Sequence, residues 1–228
     1  MKAEQCRGQG LAYLNIYPDN YQEDAAYPLV IMLHGFGANM RDLAGLAPSI
    51  DRDGYVYSFP NAPIPFNVGL NAVGYGWHPP RAQASPEDFQ KSEELVAGYF
   101  DEVFEQLGVS PGNAVLMGFS QGGGMTYRCG LERPDVFAGL AALSATLPDQ
   151  EVLRAKLPPN RTQPIFIAHG EHDARISMDT AQAAREFLET EGYSPSYHEY
   201  PMGHEIPPAV ISDLVPWLNG VLPPRPSG

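Results

Sequence analysis

Ser120 has the local sequence of a nucleophilic serine. It lies at the centre of the motif GFSQG at 118–122, which fits the pattern G-x-S-x-G. Where this pattern forms a strand-to-helix turn, the serine is displayed at its tip, and the glycines let neighbouring backbone segments approach closely. A short apolar run at 114–117 precedes the motif, and a helical pattern follows it. The context therefore predicts a serine nucleophile.

A histidine late in the chain is the preferred base for this serine. A serine hydroxyl becomes an effective nucleophile when a histidine accepts its proton and a carboxylate orients that histidine. With this type of turn, the order along the chain is serine, acid, histidine. His204 follows the last predicted strand and precedes the final helix. His198 falls inside the strand pattern, and His169 and His172 come too early to follow the acid.

The loop after the apolar run at 164–168 supplies the candidate acids. Asp173 is preferred, and Glu171 is the alternative. Asp179 is explained by its place in the first turn of the next helix, where the helix dipole favours a carboxylate. Asp173 would hold the imidazole of His204 in one tautomer and stabilise its charged form.

Two backbone N–H groups are expected to stabilise the oxyanion that the serine's attack would create. One is the N–H of Gln121, which directly follows the serine at the start of a helix. The other comes from His34-Gly35-Phe36-Gly37 after an early strand, with Phe36 as the preferred donor. His34 precedes the serine and is interpreted as structural.

The segments around these residues alternate between strands and helices. Short apolar runs predict strands at 29–33, 55–59, 114–117, 139–143, 164–168 and 196–200, with an antiparallel edge strand at 11–17. Helical spacing and capping residues predict helices at 40–47, 86–107, 121–132, 180–191 and 209–218. This alternation predicts an α/β fold with a mainly parallel central sheet and helices on both faces. Such sheets bind ligands at the carboxyl ends of their strands, where the candidate residues fall.

Length and composition favour one domain. The chain has 228 residues, of which 43% are hydrophobic, and we place a single domain at 1–222. The segment 60–86 carries six prolines and is predicted to be a structured loop on the substrate side. Cys6 is placed near a mobile N-terminus, and the tail 223–228 is expected to be frayed.

The charge disfavours some classes of partner. The 27 acidic and 14 basic residues give a formal net charge of −13, which disfavours nucleic acid and anionic membrane surfaces. No apolar run reaches the length of a membrane span, and no secretory leader is recognised. The two cysteines cannot form a disulfide framework, and no cluster has metal-ligand spacing. We expect a cytoplasmic protein with no metal, no cofactor and no stable membrane association.

Four motifs follow one another along the chain: LHGFGAN from 33, GFSQGG from 118, HGEHD from 169 and GHEI from 203. Together they resemble the phospholipase/carboxylesterase family of α/β-hydrolases, which includes bacterial carboxylesterases and acyl-protein thioesterases. The resemblance spans about residues 28–219. It implies a triad of Ser120, Asp173 and His204, with an oxyanion hole formed by the N–H groups of Phe36 and Gln121.

The Pro-rich loop partly departs from that family. Its stretch at 60–63 and Trp77 match members of the family, whereas the sequence at 75–83 does not. Ile176 begins a pair that stands where members usually carry Val-Pro. We predict that Trp77, Tyr75 and Ile176 line an apolar substrate pocket. Alternatively, Trp77 anchors the loop on the core.

The expected function is that of a serine carboxylesterase acting on small-molecule esters of short to medium acyl chain, through an acyl-enzyme intermediate, as a monomer or homodimer. An acyl-protein thioesterase or lysophospholipase would use the same groups on longer acyl chains. A catalytically silent scaffold that binds ligands is a third interpretation. Silent members of the fold commonly lose a triad residue, whereas all three are present in this chain.

Overall fold

An eight-stranded sheet forms the centre of the molecule in the computed structural model, which describes residues 1–69, 72–80 and 82–226. The described residues also form a separate two-stranded hairpin, β5 and β6. In chain order the strands are β1 (Lys2–Arg7), β2 (Ala12–Tyr17), β3 (Leu29–Leu33), β4 (Val56–Pro60), β5 (Ile64–Asn67), β6 (Val73–Gly76), β7 (Ala114–Phe119), β8 (Gly139–Leu143), β9 (Ile165–Gly170) and β10 (Ser196–Tyr200). The helices are α1 (Ala47–Ile50), α2 (Pro86–Leu107), α3 (Gln121–Gly130), α4 (Gln150–Arg154), α5 (Asp179–Thr190) and α6 (Pro208–Val221), with a 3-10 turn at Ala44–Leu46.

The order of strands in the sheet is β1-β2-β4-β3-β7-β8-β9-β10. The pairs β1–β2 and β2–β4 are antiparallel, and the pairs from β4 to β10 are parallel. Alternate residues of each central strand enter cores on opposite faces: Leu29, Ile31 and Leu33 join one, and Val30 and Met32 the other. Burial on both faces explains the continuous apolar runs. The predicted α/β fold with a mainly parallel sheet is confirmed.

The longest helix, α2, has the bounds that its sequence predicts. Ser85 is the N-cap residue, and its hydroxyl accepts a hydrogen bond from the N–H of Asp88 while the Asp88 carboxylate accepts one from the Ser85 N–H. Gly108 ends the helix in the left-handed conformation, with φ of 62°. Reciprocal capping at one end and glycine at the other stabilise both termini.

The N-terminal segment differs from the prediction. The edge of the sheet is β1, so β2 is an inner strand, and Cys6 lies within β1 rather than in a mobile terminus. Five of the six β1 residues are exposed. A strand with polar side chains on both faces lacks the period-2 pattern that identifies half-buried strands, which explains why the sequence did not indicate it.

Two further segments also depart from the expected structure. The helix expected at 40–47 is instead a 3-10 turn followed by α1, in which Pro48 occupies the first turn, a position where its missing N–H costs nothing. The Pro-rich segment contains an antiparallel hairpin of β5 and β6, with Ile64 paired to Gly76. Positions 70, 71 and 81 of this segment lie outside the described residues.

The tail is docked as far as Arg225, whereas the sequence predicted that it is frayed from residue 223. The Arg225 N–H donates to the Gly54 carbonyl over 2.9 Å, and its guanidinium donates to the Tyr27 hydroxyl and to Gln22 Oε1. These bonds hold the tail against the loop before β4. Residues 227 and 228 lie outside the described residues. In the described part of the chain, no helix is both long and apolar enough to cross a membrane.

Candidate active site

Ser120 lies in a strained turn between β7 and α3. Its backbone has φ of 57° and ψ of −118°, an unusual conformation for a residue other than glycine. A Cβ on Gly118 would lie 2.2 Å from the Gly122 carbonyl oxygen, and a Cβ on Gly122 would lie 2.1 Å from the Leu33 carbonyl oxygen. Only glycine fits at both positions. The two glycines of the motif thus let the turn close with its serine projecting from the sheet edge.

Hydrogen bonds join Ser120, His204 and Asp173 in a chain. His204 Nε2 lies 3.0 Å from Ser120 Oγ, and His204 Nδ1 lies 2.7 Å from Asp173 Oδ2. Asp173 comes from the loop after β9 and His204 from the loop after β10. The carboxylate accepts from Nδ1–H, which leaves Nε2 free of a proton and able to accept one from the serine.

The surroundings of Asp173 favour its ionised form. Burial opposes ionisation of this carboxyl, but hydrogen bonds from the Ile176 N–H, His204 and the Arg175 N–H offset it and hold the pKa of Asp173 below its usual range. The Arg175 and Ile176 N–H groups both donate to Oδ1, over 2.8 and 2.9 Å. Oδ2 therefore stays directed at the imidazole as an anion.

The loop after β3 lies directly against the serine. A Cβ built on Gly35 would be 3.3 Å from the Ser120 Cβ. The N–H groups of Phe36 and Gln121, the two predicted oxyanion donors, meet no backbone acceptor among the described residues. Gln121 is the first residue of α3, where backbone N–H groups and the helix dipole favour negative charge.

Trp77 is buried and holds this loop in place instead of lining a pocket, which corrects the prediction for that residue, and Tyr75 contacts the loop through its backbone. The Tyr75 backbone exchanges hydrogen bonds of 2.8 Å with Gly37 and Ala38. The Trp77 side chain is fully buried, and its Nε1–H donates to the His34 carbonyl over 2.8 Å. The alternative interpretation, that Trp77 anchors the loop on the core, is therefore correct.

The Gln121 side chain makes a further clamp that the sequence did not indicate. Its Oε1 accepts from the Trp77 N–H over 2.8 Å, and its Nε2 donates to the His78 carbonyl over 2.9 Å. The residue after the serine thus fixes the Pro-rich segment beside the serine. A glutamine in a motif gives no sign of which backbone it will bind, so only the fold reveals this contact.

The other histidines considered for the base lie in other settings. His34 is buried, and its Nε2 accepts the Ala62 N–H over 3.1 Å, as fits the structural role predicted for it. His198 stacks on Phe166. His169 is buried, with Nε2 2.9 Å from the Ile176 carbonyl oxygen and 3.5 Å from Asp173 Oδ2. Within the described ranges, no group of three or more His, Cys, Asp or Glu side chains could hold a metal ion.

A cavity of about 240 Å³ opens beside Ser120. Its walls come from the loops after β3, β6, β8 and β9 and from α2 and α3; they include Phe36, His78, Phe89, Gln121, Met125, Arg128, Leu147 and Ile176. Ile176, predicted to line the pocket, lies in the wall together with Phe36 and Gln121, which were predicted as oxyanion donors. The contributions of α2, the rest of α3 and the loop after β8 were not anticipated, because residues such as Phe89, Met125 and Leu147 are apolar in sequence and indistinguishable from core.

A second, more open cleft of about 220 Å³ lies beside His204. It is lined by His204 together with Asp42, Leu43, Leu46, Phe119, Glu205 and Ile206. One cavity thus lies beside Phe36 and Gln121, and the other lies beside His204.

The sheet and the serine turn define an α/β-hydrolase. The sequence matches the family described as Phospholipase/Carboxylesterase over residues 20–222. The chain belongs to this family and is a hydrolase that acts on esters.

Relatives and solved structures agree with this assignment. Acyl-protein thioesterase 1 of Aspergillus fumigatus is 31% identical over 220 residues, covering 87% of this chain and 90% of the relative. The carboxylesterase SOBER1 of Arabidopsis thaliana is 27% identical over 207 residues, covering 85% of this chain and 90% of the relative. The crystal structure of esterase PE8 has the same fold, with a TM-score of 0.79 at 23% identity, covering 93% of this chain and 99% of that one.

Proposed function

We propose that the protein is a serine carboxylesterase that hydrolyses esters of short to medium acyl chain, with Ser120, His204 and Asp173 as its catalytic triad. The observation that carries the proposal is the hydrogen-bond chain from Ser120 Oγ through the imidazole to a buried, ionised carboxylate. This arrangement supplies a nucleophile, a general base and the group that orients the base.

Acylation begins when Ser120 Oγ attacks the ester carbonyl carbon while His204 Nε2 accepts its proton. The carbonyl oxygen becomes an oxyanion, which the N–H groups of Phe36 and Gln121 stabilise. As the tetrahedral intermediate collapses, the carbon–oxygen bond to the alcohol breaks. The alcohol takes the proton from His204 and leaves the acyl group on Ser120.

Deacylation repeats these steps with water. His204 accepts a proton from a water molecule, whose oxygen attacks the acyl carbon. The second oxyanion is stabilised by the same two N–H groups. Its collapse releases the carboxylic acid, and Ser120 recovers its proton from His204.

The two cavities support a placement for the two halves of the ester. Because His204 protonates the leaving alcohol, the alcohol belongs on the imidazole side, in the cleft that His204 lines. The acyl group then occupies the cavity on the oxyanion side. Its volume of about 240 Å³ is below the roughly 300–1,000 Å³ of drug-sized ligand pockets, which favours short to medium acyl chains.

A thioesterase acting on longer acyl chains is the second candidate. It is favoured by the names of relatives such as the Aspergillus fumigatus protein, an acyl-protein thioesterase. The triad chemistry is the same for both, so the acyl cavity and its preference for chain length distinguish them.

Labelling with a fluorophosphonate probe tests the nucleophile. The wild-type protein should be labelled on Ser120, and Ser120→Ala should be unlabelled, with kcat lowered on the order of a million-fold. Ser110 is exposed in the loop before β7, so Ser110→Ala is a matched control that should retain labelling and activity. Absence of labelling in the wild type would instead support a catalytically silent scaffold.

A series of p-nitrophenyl esters, from acetate to palmitate, tests the acyl preference alongside a palmitoyl thioester. We expect kcat/KM to be highest for short to medium chains. A maximum at palmitate, or a preference for the thioester, would favour the thioesterase.

A further inference from the structure

A buried arginine faces the acyl cavity. Arg128 lies in α3 and is 9% exposed, yet it forms part of the cavity wall. The sequence predicts that this position lies in a helix and gives no sign that it faces a cavity. A permanent positive charge in the wall of an otherwise largely apolar acyl pocket needs a chemical explanation, because burying a charge is costly unless it has a partner.

The helix directs this arginine toward the serine. Gly124 and Arg128 are four residues apart in α3 and share one face of it, Ser120 is the N-cap residue of this helix, and all three line the cavity. The Cα atoms of Ser120 and Arg128 are about 12 Å apart along the helix axis. A helical side chain points back toward the N-terminus, and Gly124 carries no side chain that would block it. Arg128 therefore lies in the cavity wall about two helical turns from Ser120.

The cationic cluster around Arg128 carries net positive charge. Arg128 Nη1 donates to Glu93 Oε1 over 2.7 Å, and Glu93 also pairs with Lys156. Lys156 lies 3.7 Å from Glu132, which lies 3.8 Å from Arg133. Three cations thus meet two carboxylates. In a chain with a formal net charge of −13, this cluster is locally positive, and Arg128 is its member in the cavity wall.

Glu93 accepts a hydrogen bond from only one of the N–H donors of the Arg128 guanidinium within the described residues. Arginine has five N–H donors in a planar fork, and the structure records one bond from them to an acceptor within the described residues, the bond to Glu93. The Cζ atom of the guanidinium lies over the Phe89 ring, 4.0 Å from its centroid, and Phe89 is another cavity residue. Held by the carboxylate and the ring, the fork is fixed in position, and such a fork matches a second carboxylate well.

We propose that the acyl cavity selects acyl groups that carry a carboxylate at the end remote from the ester, and that Arg128 binds this carboxylate. The inference rests on the proposed carboxylesterase function and names its substrate class: half-esters of dicarboxylic acids. The apolar residues Phe89, Met125 and Leu147 contact the methylene chain. Arg128 pairs with the remote carboxylate at the cavity's far end.

Two substrates with the same acyl length provide the test. Monoethyl adipate and ethyl hexanoate differ in the acyl part by the terminal carboxylate, and ethanol release measures the hydrolysis of both. We expect the wild type to have the higher kcat/KM for monoethyl adipate. Half-esters from succinate to suberate should show an optimum length, because the distance from Ser120 to the guanidinium is fixed.

Variants on both sides of the ion pair separate binding from folding. Arg128→Met should lower kcat/KM for monoethyl adipate by roughly tenfold to a hundredfold, as expected for a charge-assisted hydrogen bond, with little effect on ethyl hexanoate. Glu93→Gln should shift the ratio of the two substrates the other way, since it removes a competing carboxylate. It therefore tests the proposal even if Arg128→Met is unstable. Arg154→Gln, at an exposed ion pair with Glu151, should leave the ratio unchanged.

Three outcomes would overturn the proposal. One is a wild type that hydrolyses ethyl hexanoate as well as or better than monoethyl adipate. Another is an Arg128→Met variant that slows both esters equally, which would make Arg128 structural. The third is a wild type that hydrolyses neither ester, which overturns the carboxylesterase proposal as well. The first two leave that proposal standing, so the two failures are distinguishable.

Discussion

Asp173 combines burial with a low pKa, and its backbone contacts explain how. Two N–H groups fix Oδ1, while Oδ2 is left for the imidazole. The loop after β9 therefore stabilises the ionised carboxylate through Oδ1 and leaves Oδ2 to accept the hydrogen bond from His204. This asymmetry distinguishes Asp173 from Glu171, the alternative acid, whose side chain is exposed.

Replacing each of these two carboxylates tests the assignment of the acid. Asp173→Asn should lower kcat by a factor on the order of a thousand to ten thousand, because an amide cannot stabilise the charged imidazole or hold the same tautomer. Glu171→Gln is the matched control, two residues away in the same loop, and should stay close to the wild-type rate. Steady-state kinetics with p-nitrophenyl acetate measures both. Greater loss of activity in Glu171→Gln would contradict the assignment.

At the level of single residues, the sequence predicted the site residues that directly follow a strand of the parallel sheet. Ser120, Asp173 and His204 each follow a strand of a parallel sheet, so topology alone brings them to one edge. Trp77 and Tyr75 could not be placed in the same way. An aromatic residue in a loop can face the solvent side or the core, and the choice depends on partners such as Gln121 that lie far away in sequence.

At the level of elements, the serine turn depends on the close approach of β3 to α3. The Gly122 Cα faces the Leu33 carbonyl so closely that a Cβ would meet its oxygen at 2.1 Å. Relief would require α3 to move away from β3. That movement would displace Ser120, the N-cap residue of the same helix, from the imidazole.

A pair of glycine variants tests this packing. Gly122→Ala should lower the free energy of unfolding by about 1–3 kcal/mol through overpacking, and should also reduce activity. Gly98 is exposed in α2, and an added Cβ there meets nothing within 4 Å. Gly98→Ala should therefore stabilise the protein by about 0.5–1 kcal/mol and leave activity unchanged. Urea unfolding measures both, and equal effects of the two variants would contradict the packing argument.

The sequence predicted helices and strands well where their burial requires a regular pattern of apolar residues. The central strands and α2 carry uninterrupted apolar patterns, and their predicted bounds agree with the structure within one to two residues. By contrast, β1 is held by backbone pairing with β2 and leaves its side chains in water. Main-chain hydrogen bonds do not constrain side-chain type, so such a strand has no signature in the sequence.

At the level of the whole molecule, a few polar contacts tie each terminal segment to the rest of the fold. The α-amino group of Met1 lies 2.6 Å from Asp19. At the other end, the Tyr55 hydroxyl donates to the Leu222 carbonyl and Arg225 reaches Tyr27. The proline content of the tail suggested a frayed end, but prolines also lower the entropy lost when a segment docks. One arginine with a partner is then enough to hold it.

The contribution of this contact can be measured with Arg225→Ala. The variant loses the bonds to Tyr27 and Gln22 and a cation–π contact of 4.6 Å with the Tyr27 ring. Because Tyr27 is buried, we expect the free energy of unfolding to fall by about 1–2 kcal/mol, while activity stays at the wild-type level. Arg52 is exposed, so Arg52→Ala is the matched control for loss of one positive charge. If the two variants unfold at the same urea concentration, the docked tail contributes nothing to stability.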